Sequence, residues 1–234
     1  MDLPRSRFVD LTHPFRNGMP MAPGLPPPRF EPFLTRAASR AAYAGQAEFE
    51  ITRLFLVGNT GTALDSPYHR HADGLDSASL PLDRLVGLDG WCIDARTGPR
   101  RGRRIDGVLP DRPLAGSAVL FRTGHAGRWG TDAYWTAGPS LGAEIVEALI
   151  RAEVALVGVD FANVDDRSDP ARPAHTRLLA AGIPIVENLG DLAALPSSGF
   201  RVFAAPLPIE RGAAVPARVF AELPSPDEWQ ESSG

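Results

Sequence analysis

The chain has 234 residues, 44% of them hydrophobic, which is enough for one large domain with a sizeable buried core. Its formal net charge of −4 includes no lysine, and the basic run Arg100–Arg104 has no interleaved aromatic residues, so a nucleic-acid partner is not expected. No apolar run reaches the ~20 residues of a membrane span, and the single cysteine, Cys92, fits a reducing compartment. We therefore expect a cytoplasmic protein without membrane contact.

The first predicted elements are a short strand at 8–11 and an extended arm. Residues 18–33 contain six prolines, which exclude regular helix and central strand, so residues 1–35 are expected to form an extended N-terminal arm. After the arm, polar and apolar residues alternate from Glu48 to Thr52 and an apolar run follows to Val57. This pattern predicts a strand at 48–57 that runs into the core.

The second half of the chain predicts further strands and a few helices. Short apolar runs indicate buried strands at 117–122, 154–160, 183–186 and 200–204. Apolar residues at helical spacing from Leu141 to Ile150 predict a helix capped by Ser140. A second helix is predicted at 174–181, and a turn or third helix at 189–195. The expected fold class is α/β, with strands in the majority, in a single domain spanning residues 1–234.

Reactive side chains are densest in the segment 58–71, directly after the strand that ends at Val57. Gly61 and Pro67 favour an irregular backbone, so Asp65 and His69 are predicted to lie on a loop held by a rigid strand, a common arrangement for functional groups. The alternative is a polar surface loop with a turn-forming aspartate and solvated histidines.

A second cluster comprises Asp160, Asp165, Asp166, His175 and Glu187. Glu187 closes an apolar strand, where a carboxylate is costly unless it is paired or bound to a cation. A strand-end carboxylate next to a histidine one helix earlier forms a plausible ligand pair. The alternatives are a carboxylate that reaches water and a histidine that caps a helix.

The order of these segments resembles that of the cyclase superfamily, the fold family of bacterial kynurenine formamidase. Its signature, His-x-Gly-Thr-His-x-Asp-x-Pro-x-His, aligns with residues 59–69, and its later His and Glu, twelve positions apart, align with His175 and Glu187. Shorter matches are Asp10-Leu11-Thr12, Phe121-Arg122-Thr123-Gly124, Val157-Gly158-Val159-Asp160 and Pro206-Leu207-Pro208-Ile209. The resemblance therefore covers nearly the whole chain.

The resemblance implies a swivelling β/β/α fold with a barrel-like mixed sheet and few flanking helices, assembled into homo-oligomers through the N-terminal arm. It also implies two ions of Zn or Mn, the first on residues 59, 63 and 65 and the second on Asp65, His175 and Glu187. Asn59 and Ala63 replace two imidazole ligands, so the first site is expected to be lost. No tightly bound metal is expected, with a single Zn or Mn on the second site as the alternative.

Loss of metal ligands weakens hydrolysis most, because hydrolysis needs an activated water, whereas ring closure needs a proton removed beside a carbonyl. We therefore hypothesise a cyclase that closes or dehydrates a ring on a small-molecule, polyketide-like aromatic intermediate. His69 would be the acid/base residue, Asp65 would orient it, and His175 with Glu187 would form a second proton-transfer pair.

The expected substrate contacts are Asn59, Tyr68, Trp129 and Phe161, the three aromatic rings by stacking on a flat substrate. Ordinary packing is the alternative for each ring. Two other functions stay open: a single-metal amide or lactam hydrolase resembling arylformamidase, and a non-catalytic family member that binds a ligand or a partner enzyme.

Overall fold

The computed structural model describes residues 7–96, 104–107, 109–136 and 138–224. The strands in this part of the chain are β1 (Phe8–Asp10), β2 (Arg29–Leu34), β3 (Ile51–Phe55), β4 (Ala63–Asp65), β5 (Val86–Asp94), β6 (Arg104–Ile105), β7 (Ala118–Arg122), β8 (Ser140–Leu141), β9 (Leu156–Val159), β10 (Ile185–Glu187), β11 (Ser198–Pro206) and β12 (Ala214–Glu222). The α-helices are α1 (Arg36–Ala42), α2 (Asp132–Thr136), α3 (Ala143–Arg151) and α4 (Pro173–Ala180). The chain is therefore mixed α/β with strands in the majority, as the sequence predicts.

Seven strands close into a barrel in the order β12-β11-β5-β7-β9-β10-β4, because β4 pairs with both β10 and β12. The pairs β5–β7, β7–β9 and β9–β10 are parallel, and the other pairs in the barrel are antiparallel. Strand β1 extends the sheet outside β12. The closing strand β4 places Ala63 opposite Glu187 and Asp65 opposite Ile185.

The central strands are buried on both faces, which explains their short apolar runs. Leu120, Leu156 and Val186 belong to one core cluster, whereas Val119, Val157 and Ile185 pack with helices α3 and α4 in another. Because neighbouring residues of a strand point to opposite faces, each strand contributes to both clusters. The barrel is thus a rigid support for the loops at its strand ends.

Helix α3 starts later than the sequence predicts. Ser140 lies in β8 and pairs with Arg104 of β6, and Gly142, in an extended conformation, precedes the first helical residue. The cap prediction for Ser140 is therefore wrong, since the short β6–β8 sheet takes its backbone. The segment 189–195 forms a turn, and its Leu189 is bridged to Thr12.

The β2–β3 pair differs most from the expectation. All five residues of β3 are exposed, whereas the sequence predicts a strand running into the core. The cause is that β3 pairs only with β2, in a two-stranded sheet separate from the barrel. Residues 29–34 of the predicted arm therefore form a strand in this small sheet.

The described helices are short. The longest of them, α3, has nine residues, so none of the helices in the described part of the chain can cross a membrane.

Candidate functional site

Asp65 is the last residue of strand β4, and the residues that follow Asp65 are held by hydrogen bonds. The Ser66 backbone amide donates to the carbonyl of Ala213 (2.8 Å), and its hydroxyl donates to the carbonyl of Gly212 (3.0 Å). The next three residues form a 3₁₀ turn, closed by a bond from the His69 amide to the Ser66 carbonyl (2.9 Å). Asp65 and His69 therefore stand on a rigid backbone.

The start of helix α4 delivers His175 to the same place. The carboxylate of Asp165 accepts hydrogen bonds from the backbone amides of Ala174 (2.6 Å) and His175 (3.2 Å) in the first helical turn. The same carboxylate lies 2.6 Å from Nδ1 of His175. These bonds outweigh the effect of burial and hold the pKa of Asp165 below its usual range, so it is a carboxylate that fixes both the helix and the ring.

The other ring nitrogen of His175 faces two more carboxylates. Nε2 lies 3.4 Å from Oδ2 of Asp65 and 3.3 Å from Oε1 of Glu187, and all three side chains are buried. Burial alone lowers the pKa of His175, but the charge of Glu187 and the hydrogen bonds to Asp165, Asp65 and Glu187 raise it well above its ordinary value. The surrounding carboxylates therefore favour a positive charge at this point, either on the ring or on a bound cation.

Glu187 is the last residue of β10, and its Oε1 accepts a hydrogen bond from the backbone amide of Val164 (2.8 Å). Burial raises the pKa of this carboxyl, and the neighbouring His175 opposes that rise. The strand end therefore holds Glu187 in the cluster rather than directing it to water.

His69 is half-buried and its side chain has no hydrogen-bond partner among the described residues, so both of its ring nitrogens are available. Its ring centroid lies 5.8 Å from that of His175. One ligand atom from each of Asp65, His69 and His175 lies within 4.8 Å of the other two, which is a spacing that one metal ion can bridge. The sequence-based ligand set contained Glu187 instead of His69.

The opposite side of the cluster carries the two altered motif positions. Asn59 and Ala63 line a cavity of about 120 Å³ together with Asp65, Glu187 and Asn163. Ala63 offers no ligand atom, and Asn59 is exposed and forms no hydrogen bond with the described residues. The residues present therefore fit one divalent ion and do not fit two.

A larger cavity of about 820 Å³ adjoins the small one and shares Trp135, Ala162 and Asn163 with it. Its volume lies within the range of about 300–1,000 Å³ that is typical of small-molecule sites. Charged groups in its wall include Arg104, Asp165 and Arg167. The larger cavity therefore has the size of a small-molecule site and shares part of its wall with the small one.

The three predicted aromatic contacts have different surroundings. Tyr68 is half-buried, with the Arg211 guanidinium 5.9 Å from its ring centroid, and Trp129 is stacked on His13 at 4.1 Å. Phe161 is fully buried in the core cluster beside α3 and α4 and exposes no ring surface to a ligand. The structure thus contradicts the predicted role of Phe161, because its strand end turns the ring into the core.

Sequence reasoning missed the buried residue Asn188, which links the two halves of the site. Its side chain accepts a hydrogen bond from the Tyr134 hydroxyl (2.9 Å) and donates to the Gly61 carbonyl (2.8 Å), and its own carbonyl accepts from the Thr62 hydroxyl (2.6 Å). Its φ of 57° is one that Asn tolerates better than most residues. Its position directly after Glu187 is the signal that could have identified it.

The chain is similar to curated kynurenine formamidases. The protein of Salinibacter ruber is 32% identical over 77% of this chain and 84% of its own length, and that of Erythrobacter litoralis is 31% identical over 93% and 95%. Among solved structures, isatin hydrolase A from Labrenzia aggregata, bound to benzyl benzoate, matches with a TM-score of 0.78 and 26% identity over 94% of each chain.

These relatives overturn the hypothesis of a cyclase acting on a polyketide-like intermediate. Their names are those of hydrolases, and the identities of 31–32% extend over most of this chain. The error arose because the loss of two imidazoles was taken as the loss of hydrolysis, whereas Asp65, His69 and His175 still form a cluster that could hold one metal ion, with His175 held by Asp165.

A known protein family matches this chain, in agreement with its fold and its sequence motif. The family described as "Putative cyclase" matches residues 9–166, more than half of the chain. The barrel, the segment 59–69 that carries Asp65 and His69, and the similarity to formamidases all lead to the same assignment. The chain belongs to this cyclase family of enzymes, with the metal-binding motif altered at Asn59 and Ala63.

Proposed function

We propose that the chain hydrolyses the C–N bond of a small amide or lactam, as an arylformamidase-like enzyme that works with one divalent ion. The observation that carries this proposal is the arrangement of His175, whose Nδ1 is held by Asp165 while Nε2 faces Asp65 and Glu187. A carboxylate behind a histidine is the usual partner of a metal-binding imidazole.

Asp65, His69 and His175 would hold the ion, which is Zn or Mn on the basis of this mixed nitrogen and oxygen ligand set. Three buried carboxylates beside one histidine leave excess negative charge, and a divalent ion would neutralise it. When bound, such an ion supplies Lewis acidity, which brings the pKa of water down toward about 7.

Glu187 is the acid/base residue in this proposal. Its carboxylate lines the small cavity, whereas His69 is absent from the cavity wall and contributes to the cation-binding cluster. This reverses the sequence-based assignment, in which His69 moved the proton. Glu187 would take one proton from water as the oxygen attacks the carbonyl carbon, and would return it to the nitrogen as the C–N bond breaks, giving a carboxylic acid and an amine.

The test is metal analysis and hydrolysis of formanilide, a simple aryl formamide, by protein purified without chelator. We expect close to one Zn or Mn per subunit and measurable formate release. Asp65→Asn should lose both, and Asp73→Asn, which alters an exposed carboxylate in the same loop, should lose neither. Wild-type protein that contains no metal and releases no formate would contradict the proposal and favour a non-catalytic binding role.

We also propose that the chain forms homo-oligomers through the β2–β3 sheet. Phe33 and Leu54 are 62% and 61% exposed, and Ile51, Phe55 and Leu56 are also exposed. A two-stranded sheet with this much uncovered apolar surface gains most from packing against a second copy.

The oligomer test compares two leucines of similar exposure. Leu54→Glu should shift the mass in light scattering to that of a single chain, whereas Leu82→Glu, at a residue 65% exposed outside this sheet, should leave the mass unchanged. A single-chain mass for the unaltered protein would contradict the proposal.

A further inference from the structure

Asn163 lies in the loop between β9 and α4, two residues before Asp165, and it lines both the small and the large cavity. We propose that Asn163 binds substrate by donating a hydrogen bond from its side-chain NH₂ group to the carbonyl oxygen of the scissile amide. This inference rests on the proposed hydrolysis, because it names the group that would hold the oxygen on which charge develops.

The amide of Asn163 is oriented by two donors. Its Oδ1 accepts hydrogen bonds from the backbone amide of Asp165 (3.0 Å) and from a guanidinium nitrogen of Arg172 (3.2 Å). Both partners can only donate, so the oxygen must face them and the NH₂ group must face the other way. In the described part of the chain this NH₂ group has no hydrogen-bond partner.

The rest of the small cavity lacks a comparable donor. Asp65 and Glu187 present carboxylate oxygens, and the Asn188 amide accepts from Tyr134 and already donates one of its two N–H hydrogens to the Gly61 carbonyl. The Trp135 indole nitrogen has no hydrogen-bond partner among the described residues, but it is buried and exposes no surface to the cavity. Asn59 has a free amide, but no described residue fixes its orientation.

The size of the small cavity fits this role. At about 120 Å³ it is smaller than an engineered cavity of about 150 Å³ that holds benzene, so it suits a formyl or lactam carbonyl better than an aromatic ring. The adjoining cavity of about 820 Å³ has room for the ring. Because Asn163 lies on the wall that the two share, its NH₂ group can reach the carbonyl at the junction.

The test uses two variants of Asn163 and formanilide hydrolysis. Asn163→Asp keeps an oxygen for Asp165 and Arg172 but replaces the NH₂ group with an acceptor, and Asn163→Ala removes both ends without adding charge. We expect kcat to fall by about 10²–10³ in both variants, the loss typical of removing one donor to a developing oxyanion. KM should rise as well, but by a smaller factor than kcat falls, since the bond already forms with the bound substrate and strengthens as charge develops.

The aspartate variant separates substrate binding from a structural role. If Asn163 only braces the loop, Asn163→Asp should retain the wild-type kcat while Asn163→Ala loses it, and that result would overturn the inference. Equal metal content and melting temperature in wild type and Asn163→Asp would show that the loss of activity does not come from the ion or the fold.

A failure of the proposed hydrolysis is distinguishable from a failure of this inference. If the wild type releases no formate, binding of formanilide is measured by ligand-observed NMR. Binding by the wild type and weaker binding by Asn163→Asp would still support the carbonyl contact. Equal binding by both proteins, or binding by neither, would overturn it.

Discussion

The two sides of the site differ in how firmly their residues are held. On one side, Glu187 is fixed by the Val164 amide and His175 by Asp165. On the other side, the Asn59 side chain forms no hydrogen bond with the described residues, and Ala63 contributes only a methyl group. Val164 and Asp165 lie outside the signature motif at 59–69. Glu187 and His175 therefore keep their positions although the motif is altered.

The largest effect is expected from removing the proposed acid/base group on the braced side. Glu187→Gln keeps an oxygen for the Val164 amide but cannot move a proton. We expect kcat for formanilide to fall by about 10²–10⁴, the usual contribution of general acid/base catalysis, with the metal content unchanged. Steady-state kinetics and elemental analysis would measure this. If the variant lost bound metal as well as kcat, Glu187 would be a metal ligand. The proposed division of roles between Glu187 and His69 would then be wrong.

A smaller effect is expected from loosening the brace itself. Asp165→Asn removes the charge behind His175 while leaving an oxygen that can cap α4. Outer partners of metal-binding histidines typically contribute about 10–100-fold to metal affinity or activity, and we expect a loss in that range. Titration with Zn in a competing chelator would measure the affinity. An unchanged affinity would show that the position of His175 does not depend on Asp165.

The weaker side can be tested by restoring its imidazoles. The double variant Asn59→His with Ala63→His should raise the bound Zn or Mn by up to one ion per subunit. The two restored imidazoles and Asp65 would then supply three ligands for the first metal site of the family motif. Metal analysis of wild type and double variant purified side by side would measure this. If the folded double variant bound no more metal than the wild type, residues other than 59 and 63 would also prevent metal binding on the weaker side.

The smallest effect is expected on stability and concerns His13. Its backbone amide donates a hydrogen bond to the hydroxyl of Thr62 (3.1 Å), which lies next to Ala63 on the weaker side. Burial lowers the pKa of His13 to about 4, against an ordinary value of 6.5. Between pH 4 and pH 6.5 the unfolded chain binds more protons than the folded chain. The free energy of unfolding is therefore expected to decrease as pH falls from about 6.5 toward about 4.

His13→Phe keeps an aromatic ring to stack on Trp129 and removes the titration. We expect its urea midpoint to fall less than that of wild type between pH 7 and pH 4.5. The same fall in both proteins would show that His13 does not contribute to the acid sensitivity.

Most of the barrel could be predicted from the sequence, because strands buried on both faces are short apolar runs. The runs at 117–122, 154–160, 183–186 and 200–204 each contain or overlap an observed strand. The strand at 48–57 could not be placed, since its alternation fits any half-covered surface and says nothing about which partner covers it. Only the pairing of β3 with β2 alone explains its exposure.

The site follows the same division. The resemblance to the family motif, together with a carboxylate at the end of an apolar strand, singled out Asp65, His69, His175 and Glu187 as candidates. Spacing could not show that Asp165 holds the ring of His175, or that the side-chain oxygen of Asn163 is held by the Asp165 amide, because both depend on hydrogen bonds formed after folding.

The sequence by itself determined the family, four of the seven barrel strands and the absence of two imidazoles at positions 59 and 63, since these depend on local pattern and residue identity. The tertiary structure decided what that absence means. Closure of β4 against β10 and β12 brings Asp65 beside His175 and Glu187, residues more than a hundred positions away. The charge and orientation of such a cluster come from contacts between distant segments, which no local pattern encodes.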